Sequence, residues 1–184
     1  MLKSGGALAG VSAAGLLVRP ALSQEARAPA FNVDTSPRRI ALSSIHTGER
    51  LDIEYFRDGA YVPQALLAIE GCLRDYRTGD RLAIDPALMD YLHEVARAAG
   101  VDPVFSVISG YRSPQTNAML HERSAGVARH SLHMEGRAID VRVAGIDCAD
   151  LAARALDLKR GGVGYYRASD FVHLDTGAFR TWKG

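Results

Sequence analysis

Ser131-Leu132-His133-Met134-Glu135-Gly136-Arg137-Ala138-Ile139-Asp140-Val141-Arg142-Val143 is the stretch on which the reading of this chain turns. Apolar and polar residues alternate from Ala138 to Val143, the period of a strand with one dry face. Ile139, Val141 and Val143 point into a core, and Ala138, Asp140 and Arg142 point the other way. The Asp140 carboxylate therefore stands on the face opposite the apolar one. Gly136 permits the tight turn that brings His133 to the head of the strand. Near the C-terminus Phe171, His173 and Asp175 share one face of a second short strand, and Val172 and Leu174 share the other. If the two strands are neighbours, His173 meets Asp140, with His133 arriving from the loop. Two histidines and one carboxylate are a usual catalytic zinc set, with the fourth position left to water. Spacing alone is a weak signal, unlike a paired Cys-x-x-Cys. His46, His93, His121 and His130 show how many histidines need no special role, and His93 and His121 fall on helices.

Outward from this stretch, Arg39 to Ser44 and Arg50 to Tyr55 read as strands, with Asp58-Gly59 as a turn. Pro63 opens a helix to about Tyr76, with Leu66, Ile69, Leu73 and Tyr76 on one stripe. Asp85 caps a second helix, whose stripe is Leu88, Leu92, Val95 and Ala99 and whose stop is Gly100. Val104 to Ile108 is a buried strand. Ser113 and Pro114 start a third helix, Asp147 to Lys159 is a fourth, and Val163 to Tyr166 is a strand. Gly161, Gly162 and Gly164 suit close backbone approach rather than phosphate binding, since no helix N-terminus follows. No βαβ repeat and no internal repeat is present. The fold class expected is α+β, with a small, mostly antiparallel sheet flanked by helices.

The 184 residues suit one domain, and 47% hydrophobic with 23% charged residues allows a real core. Twenty-two Lys and Arg against 21 Asp and Glu, with no basic block, argue against nucleic acid as a partner. Two cysteines exclude a disulfide-dense scaffold and a four-thiolate zinc module. Cys72 and Cys148 pair only if their helices bring them together, which spacing does not decide. Stable membrane insertion is not expected, because no run of eighteen apolar residues occurs.

Residues 1–23 have the pattern of a cleavable export signal: Lys3, a mild apolar run from Gly5 to Val18, and Ala21-Leu22-Ser23 as the small-residue site. Cleavage after Ser23 removes Lys3 and Arg19 and leaves 20 cations against 21 acids. Met1-Leu2-Lys3 is similar to the tail of a twin-arginine motif, an expectation that requires a paired arginine encoded a few codons upstream. Residues 24–37 lack periodicity and read as a linker, leaving 38–184 as the folded domain. A soluble periplasmic protein is expected, since no lipoprotein cysteine follows the apolar run, and a monomer is the expected state.

Ser131-x-His133-x-x-Gly136-x-Ala138-x-Asp140, preceded by Ser109-Gly110-Tyr111-Arg112-Ser113 and followed by a late strand with His173, resembles the zinc peptidases that include D-alanyl-D-alanine carboxypeptidases, lysostaphin-type enzymes and the hedgehog fold. More closely, the chain resembles the YcbK-like, MepK-type periplasmic murein endopeptidases. The supporting pieces include Leu42 to Glu49, Arg74-Asp75-Tyr76-Arg77, Gly161 to Tyr166 and Phe171 to Gly177. The resemblance spans roughly residues 38 to 182. It implies one Zn²⁺ per chain held by His133, Asp140 and His173, and peptidoglycan stem peptides as substrate. Cross-links between two meso-diaminopimelate residues are included. It implies that Arg112 steadies the oxyanion, a role suited to a guanidinium.

Relatives often carry an acidic residue three positions before the last histidine, where this chain has Asp170. The resemblance makes Asp170 the preferred base, provided that the strand begins after it, and strand alternation keeps Asp175 as the alternative. Phe171 stands where several relatives place a second histidine, and His130 or Arg112 is available to substitute. Tyr111, Tyr165 and Tyr166 flank the motifs, as groove-lining or packing residues. Two rivals stay open: a carboxypeptidase with a closed carboxylate pocket, and a non-catalytic zinc-stabilised wall-binding module.

Overall fold

The computed structural model describes Met1, residues 34–124 and residues 126–184. The expected export signal, beyond Met1, and the linker as far as residue 33 lie outside the described residues. Residues 34–37 lead without regular structure into the first strand.

The strands are β1 (Arg38–Ser44), β2 (Arg50–Arg57), β3 (Ala60–Tyr61), β4 (Val104–Ser109), β5 (Ala138–Val143), β6 (Gly162–Tyr166), β7 (Phe171–Asp175) and β8 (Arg180–Lys183). The helices are α1 (Pro63–Cys72), α2 (Pro86–Ala99), α3 (Pro114–Arg123) and α4 (Cys148–Leu158). One sheet holds all eight strands in the order β3-β2-β1-β4-β5-β7-β6-β8. β1 runs parallel to β4 and β6 parallel to β8, and the other pairings are antiparallel. The α+β class and the mostly antiparallel sheet agree with the sequence reading.

Alternation decides which face is dry. Ile40, Leu42, Phe105, Ile139, Val141, Val172 and Leu174 are buried on the face that receives α1, α2 and α4. From the helices come Ile69, Leu88, Leu92, Val95, Leu151 and Ala155. The Tyr91 hydroxyl donates to the Ala155 carbonyl at 3.1 Å and ties α2 to α4. Each such apolar side chain contributes about 1.5–3 kcal/mol by leaving water. An Ile139→Ala change would cost about 2–5 kcal/mol. The opposite sheet face is thereby left to polar residues, and the site lies there.

Local signals hold at most boundaries. Asp85 accepts from the Ala87 N–H at 3.0 Å, and Ser113 from the Thr116 N–H at 3.2 Å. Gly100 closes α2 in the left-handed conformation. Three elements differ from expectation, the shortest being β3, which forms by pairing with β2 after the Asp58-Gly59 turn. The first helix stops at Cys72 rather than near Tyr76, because Asp75 turns out of the helical path. Its carboxylate accepts from the Ser113 N–H and hydroxyl at 2.9 and 2.7 Å and from the Arg77 N–H at 2.9 Å. β8 was not expected: Arg180-Thr181-Trp182-Lys183 has no apolar alternation, and it forms by pairing along β6. Cys72 and Cys148 are both free thiols.

Candidate metal centre

The approach to β5 is a single 3₁₀ turn, Leu132–Glu135, capped by Ser131 and ended by Gly136. Gly136 has φ +67°, and a Cβ there would lie 2.3 Å from the Ala83 carbonyl oxygen, so only glycine fits. This turn aims His133 at the sheet. β5 and β7 are antiparallel neighbours with Asp140 directly opposite His173. His133, Asp140 and His173 are all buried, at 2%, 6% and 8% exposure, and each offers one donor atom to a common point.

Hydrogen bonds behind the rings decide which atoms face inward. His133 Nδ1 lies 2.7 Å from the Gly110 carbonyl, which can only accept, so Nδ1 carries the hydrogen and Nε2 is bare. His173 Nε2 lies 3.0 Å from Asp175 Oδ2, which leaves Nδ1 of the neutral ring bare. His133 Nε2 and His173 Nδ1 then stand 3.2 Å apart, with Asp140 Oδ1 at 3.2 Å from the first and 2.8 Å from the second. Three lone pairs converging in a buried space repel one another unless a cation joins them. Donors around a tetrahedral zinc, at about 2.0–2.1 Å from the ion, are roughly 3.3–3.4 Å apart, close to this triangle. The donor set suits a divalent cation of that kind, and both imidazoles have the outer hydrogen bonds that orient metal-binding histidines.

Electrostatics agree. Burial lowers the His133 pKa and keeps that ring neutral. Burial also opposes charge on His173, but hydrogen bonds to Asp140 and Asp175 outweigh it and raise the pKa of that ring. Burial works against ionisation of Asp140 and Asp175 too. The histidines, joined at Asp175 by Arg180, nonetheless hold both carboxyls well below the usual carboxylate range.

Arg112 Nη2 lies 3.3 Å from Asp140 Oδ2, with Ser109 Oγ and Asn117 Oδ1 each at 3.4 Å from the guanidinium. Burial lowers the Arg112 pKa, and Asp140 opposes that shift. Asp175 is wholly buried behind His173, where it also accepts from Arg180 at 2.9 and 2.6 Å. Asp170 is not brought to the cluster. β7 begins at Phe171, so strand alternation does not direct the Asp170 side chain, and its backbone is left-handed at φ 51°. Its carboxylate is 71% exposed and pairs with Arg142 at 3.4 Å.

Two cavities share Arg112, Asp140, Ser169 and Phe171; all three residues of the cluster line the first, and Asp140 alone of them lines the second. The larger, about 430 Å³, is also lined by His130, His133, His173, Tyr166, Arg180 and Trp182. The Trp182 ring lies 5.1 Å from His173, and its Nε1–H donates to the Tyr166 hydroxyl at 3.0 Å. Tyr166 stacks on Phe171 at 4.5 Å and lines the cavity, whereas Tyr111 and Tyr165 pack against the core. Sequence reasoning missed Trp182, which arrives on the unforeseen β8. It also missed the Gly110 carbonyl, because a backbone acceptor leaves no residue-type signal.

An α+β domain with two histidines and an aspartate gathered in an open cleft has the equipment of a hydrolytic metal site. The family model described as "Peptidoglycan L,D-endopeptidase MepK" matches residues 32–182, and the chain belongs to that family. The peptidoglycan L,D-endopeptidase MepK of Escherichia coli (strain K12) is 40% identical over 156 residues, covering 84% of this chain and 86% of that protein. The probable peptidoglycan L,D-endopeptidase MepK of Haemophilus influenzae is 41% identical over 149 residues, covering 80% of each. No solved structure matches.

Proposed function

We propose that this chain is an exported zinc endopeptidase that opens peptide cross-links of peptidoglycan, including links between two meso-diaminopimelate residues. The observation that carries the reading is the triangle of His133, Asp140 and His173 lining one cavity, with a second cavity that shares Asp140 and Arg112 with it. A cleft with two arms suits a chain that continues on both sides of the scissile bond. A carboxypeptidase needs one closed end. The family and its endopeptidase-named relatives support the same direction.

His133, Asp140 and His173 would hold the ion, which when bound supplies a Lewis acid and acidifies its water to a pKa of about 7. Arg112, beside Asp140 and lining both cavities, directs its charge to the oxyanion that forms on the substrate carbonyl. Asp175 is a positioning residue: it fixes the tautomer and orientation of His173. Asp170 steadies the turn before β7 through Arg142. His130, exposed in the larger cavity, would carry a proton between water and the leaving amine. Residues 1–23 would deliver the domain to the periplasm, where this substrate lies. Among the described residues no helix is long and apolar enough to cross a membrane.

Digestion of purified cross-linked muropeptides tests the reading. Dimers converted to monomers support it. Tetrapeptides shortened with dimers intact would make the protein a carboxypeptidase. A zinc-loaded protein that cleaves neither would be a binding module.

A further inference from the structure

The second cavity, about 340 Å³, differs in charge from the first. Arg77, Arg112 and Arg142 all line it, and its one acidic lining residue is Asp140, already engaged by both histidines and Arg112. Arg77 has no carboxylate within ion-pair distance among the described residues. Its guanidinium lies 4.2 Å over the Tyr76 ring, and Tyr76 stacks on His46 at 4.0 Å. The stack holds the guanidinium in place while leaving its N–H edge without a carboxylate. Arg142 gives Nε and Nη2 to the Asp170 and Ser169 carbonyls and pairs with the exposed Asp170 carboxylate at 3.4 Å. In the first cavity, by contrast, Arg180 is neutralised by the paired contact to Asp175. In the second cavity Arg112 and Arg142 have carboxylate partners and Arg77 has none, so its positive charge is the uncompensated one among the described residues.

Such an arm is built for an anion, and bidentate guanidinium geometry favours a carboxylate. In a cross-link to meso-diaminopimelate, the carbon that bears the amide nitrogen retains a free carboxylate. We propose that the arm lined by Arg77 and Arg142 is the subsite for this carboxylate, so that the enzyme selects cross-links in which it is free over those in which it is amidated. The inference rests on the endopeptidase reading above.

The test uses two diaminopimelate-linked dimers, one with that carboxylate free and one with it amidated, and the full chain as wild type, Arg77→Gln and Arg77→Lys. Wild type is expected to prefer the free acid. Arg77→Gln should lose about 10–100-fold in kcat/KM on the free acid, mostly through KM, and lose the preference. Arg77→Lys should recover part of both. Zinc content equal to wild type shows that the variants keep the metal centre. Wild-type indifference to amidation, or an Arg77→Gln enzyme with unaltered KM and preference, would overturn the subsite alone. Failure of wild type to cleave either dimer would overturn the endopeptidase reading, and the subsite with it.

Discussion

Asp140 Oδ1 and His173 Nδ1 face each other at 2.8 Å across directly paired positions of β5 and β7. Their contact follows from sheet register, since both belong to the polar face of strands whose apolar residues are buried opposite. The site is therefore as rigid as the sheet that carries it, and changes behind it should act through orientation.

Asp175→Asn tests that coupling. The amide can still reach His173 and Arg180, but it loses the charge that orients the ring and anchors the guanidinium. Zinc affinity should fall about 10–100-fold. Competition with a colorimetric chelator measures it. Affinity equal to wild type would remove Asp175 from the positioning role.

His130→Gln separates proton transfer from metal binding. His130 lines the larger cavity without being one of the three clustered donors. Zinc content should stay at the wild-type level while kcat falls about 10²–10⁴-fold. Asp170→Asn, run in parallel, should have a smaller effect on kcat, because that carboxylate lies on Arg142.

Gly164→Ala probes the packing of β8. A Cβ on Gly164 would lie 2.5 Å from the Trp182 ring, which rests against His173. Trp182 must move, and stability should fall by about 1–3 kcal/mol. Denaturant unfolding measures the loss, and a shift in tryptophan fluorescence reports the displaced indole.

Asp75 makes a pH prediction away from the metal. Burial opposes its ionisation, but hydrogen bonds from Thr116, Ser113 and Arg77 prevail and lower its pKa to about 2. A carboxyl with a depressed folded-state pKa contributes stability that is full above its unfolded value of about 3.9. That contribution is lost as pH falls toward 2. Asp75→Asn should therefore destabilise at pH 7, and its stability should depend less on pH than wild type between about pH 4 and 2. Parallel curves for the two proteins would contradict this origin of the acid sensitivity.

The polar faces of β5 and β7 were legible in the sequence because period-two alternation assigns faces without knowledge of the fold, whereas the grouping of His133, Asp140 and His173 as one ligand set came from the family resemblance. Ile139 and Val141 had to be inside, so Asp140 had to face away from them, and the same holds for His173 between Val172 and Leu174. What alternation cannot supply is how distant segments meet. Trp182 reaches His173 through a pairing of β6 with β8 that no local pattern encodes. The stack of His46, Tyr76 and Arg77 joins the β1–β2 connection to the turn after α1, whereas in the sequence Tyr76 reads as part of a helical stripe and His46 as a histidine with no special role. Asp170 illustrates the converse. Its spacing from His173 suggested a base, but spacing carries no direction once the residue lies outside the strand.

Metal content measured beside muropeptide-dimer cleavage, for wild type and His133→Ala, bears most directly on the account. Wild type should contain about one zinc per chain and release monomers, and chelation should abolish the cleavage until zinc is restored. His133→Ala, with an unchanged circular dichroism spectrum, should lack both zinc and activity. A His133→Ala protein that cleaves dimers as wild type does, or a metal-free wild type that remains fully active, would contradict it.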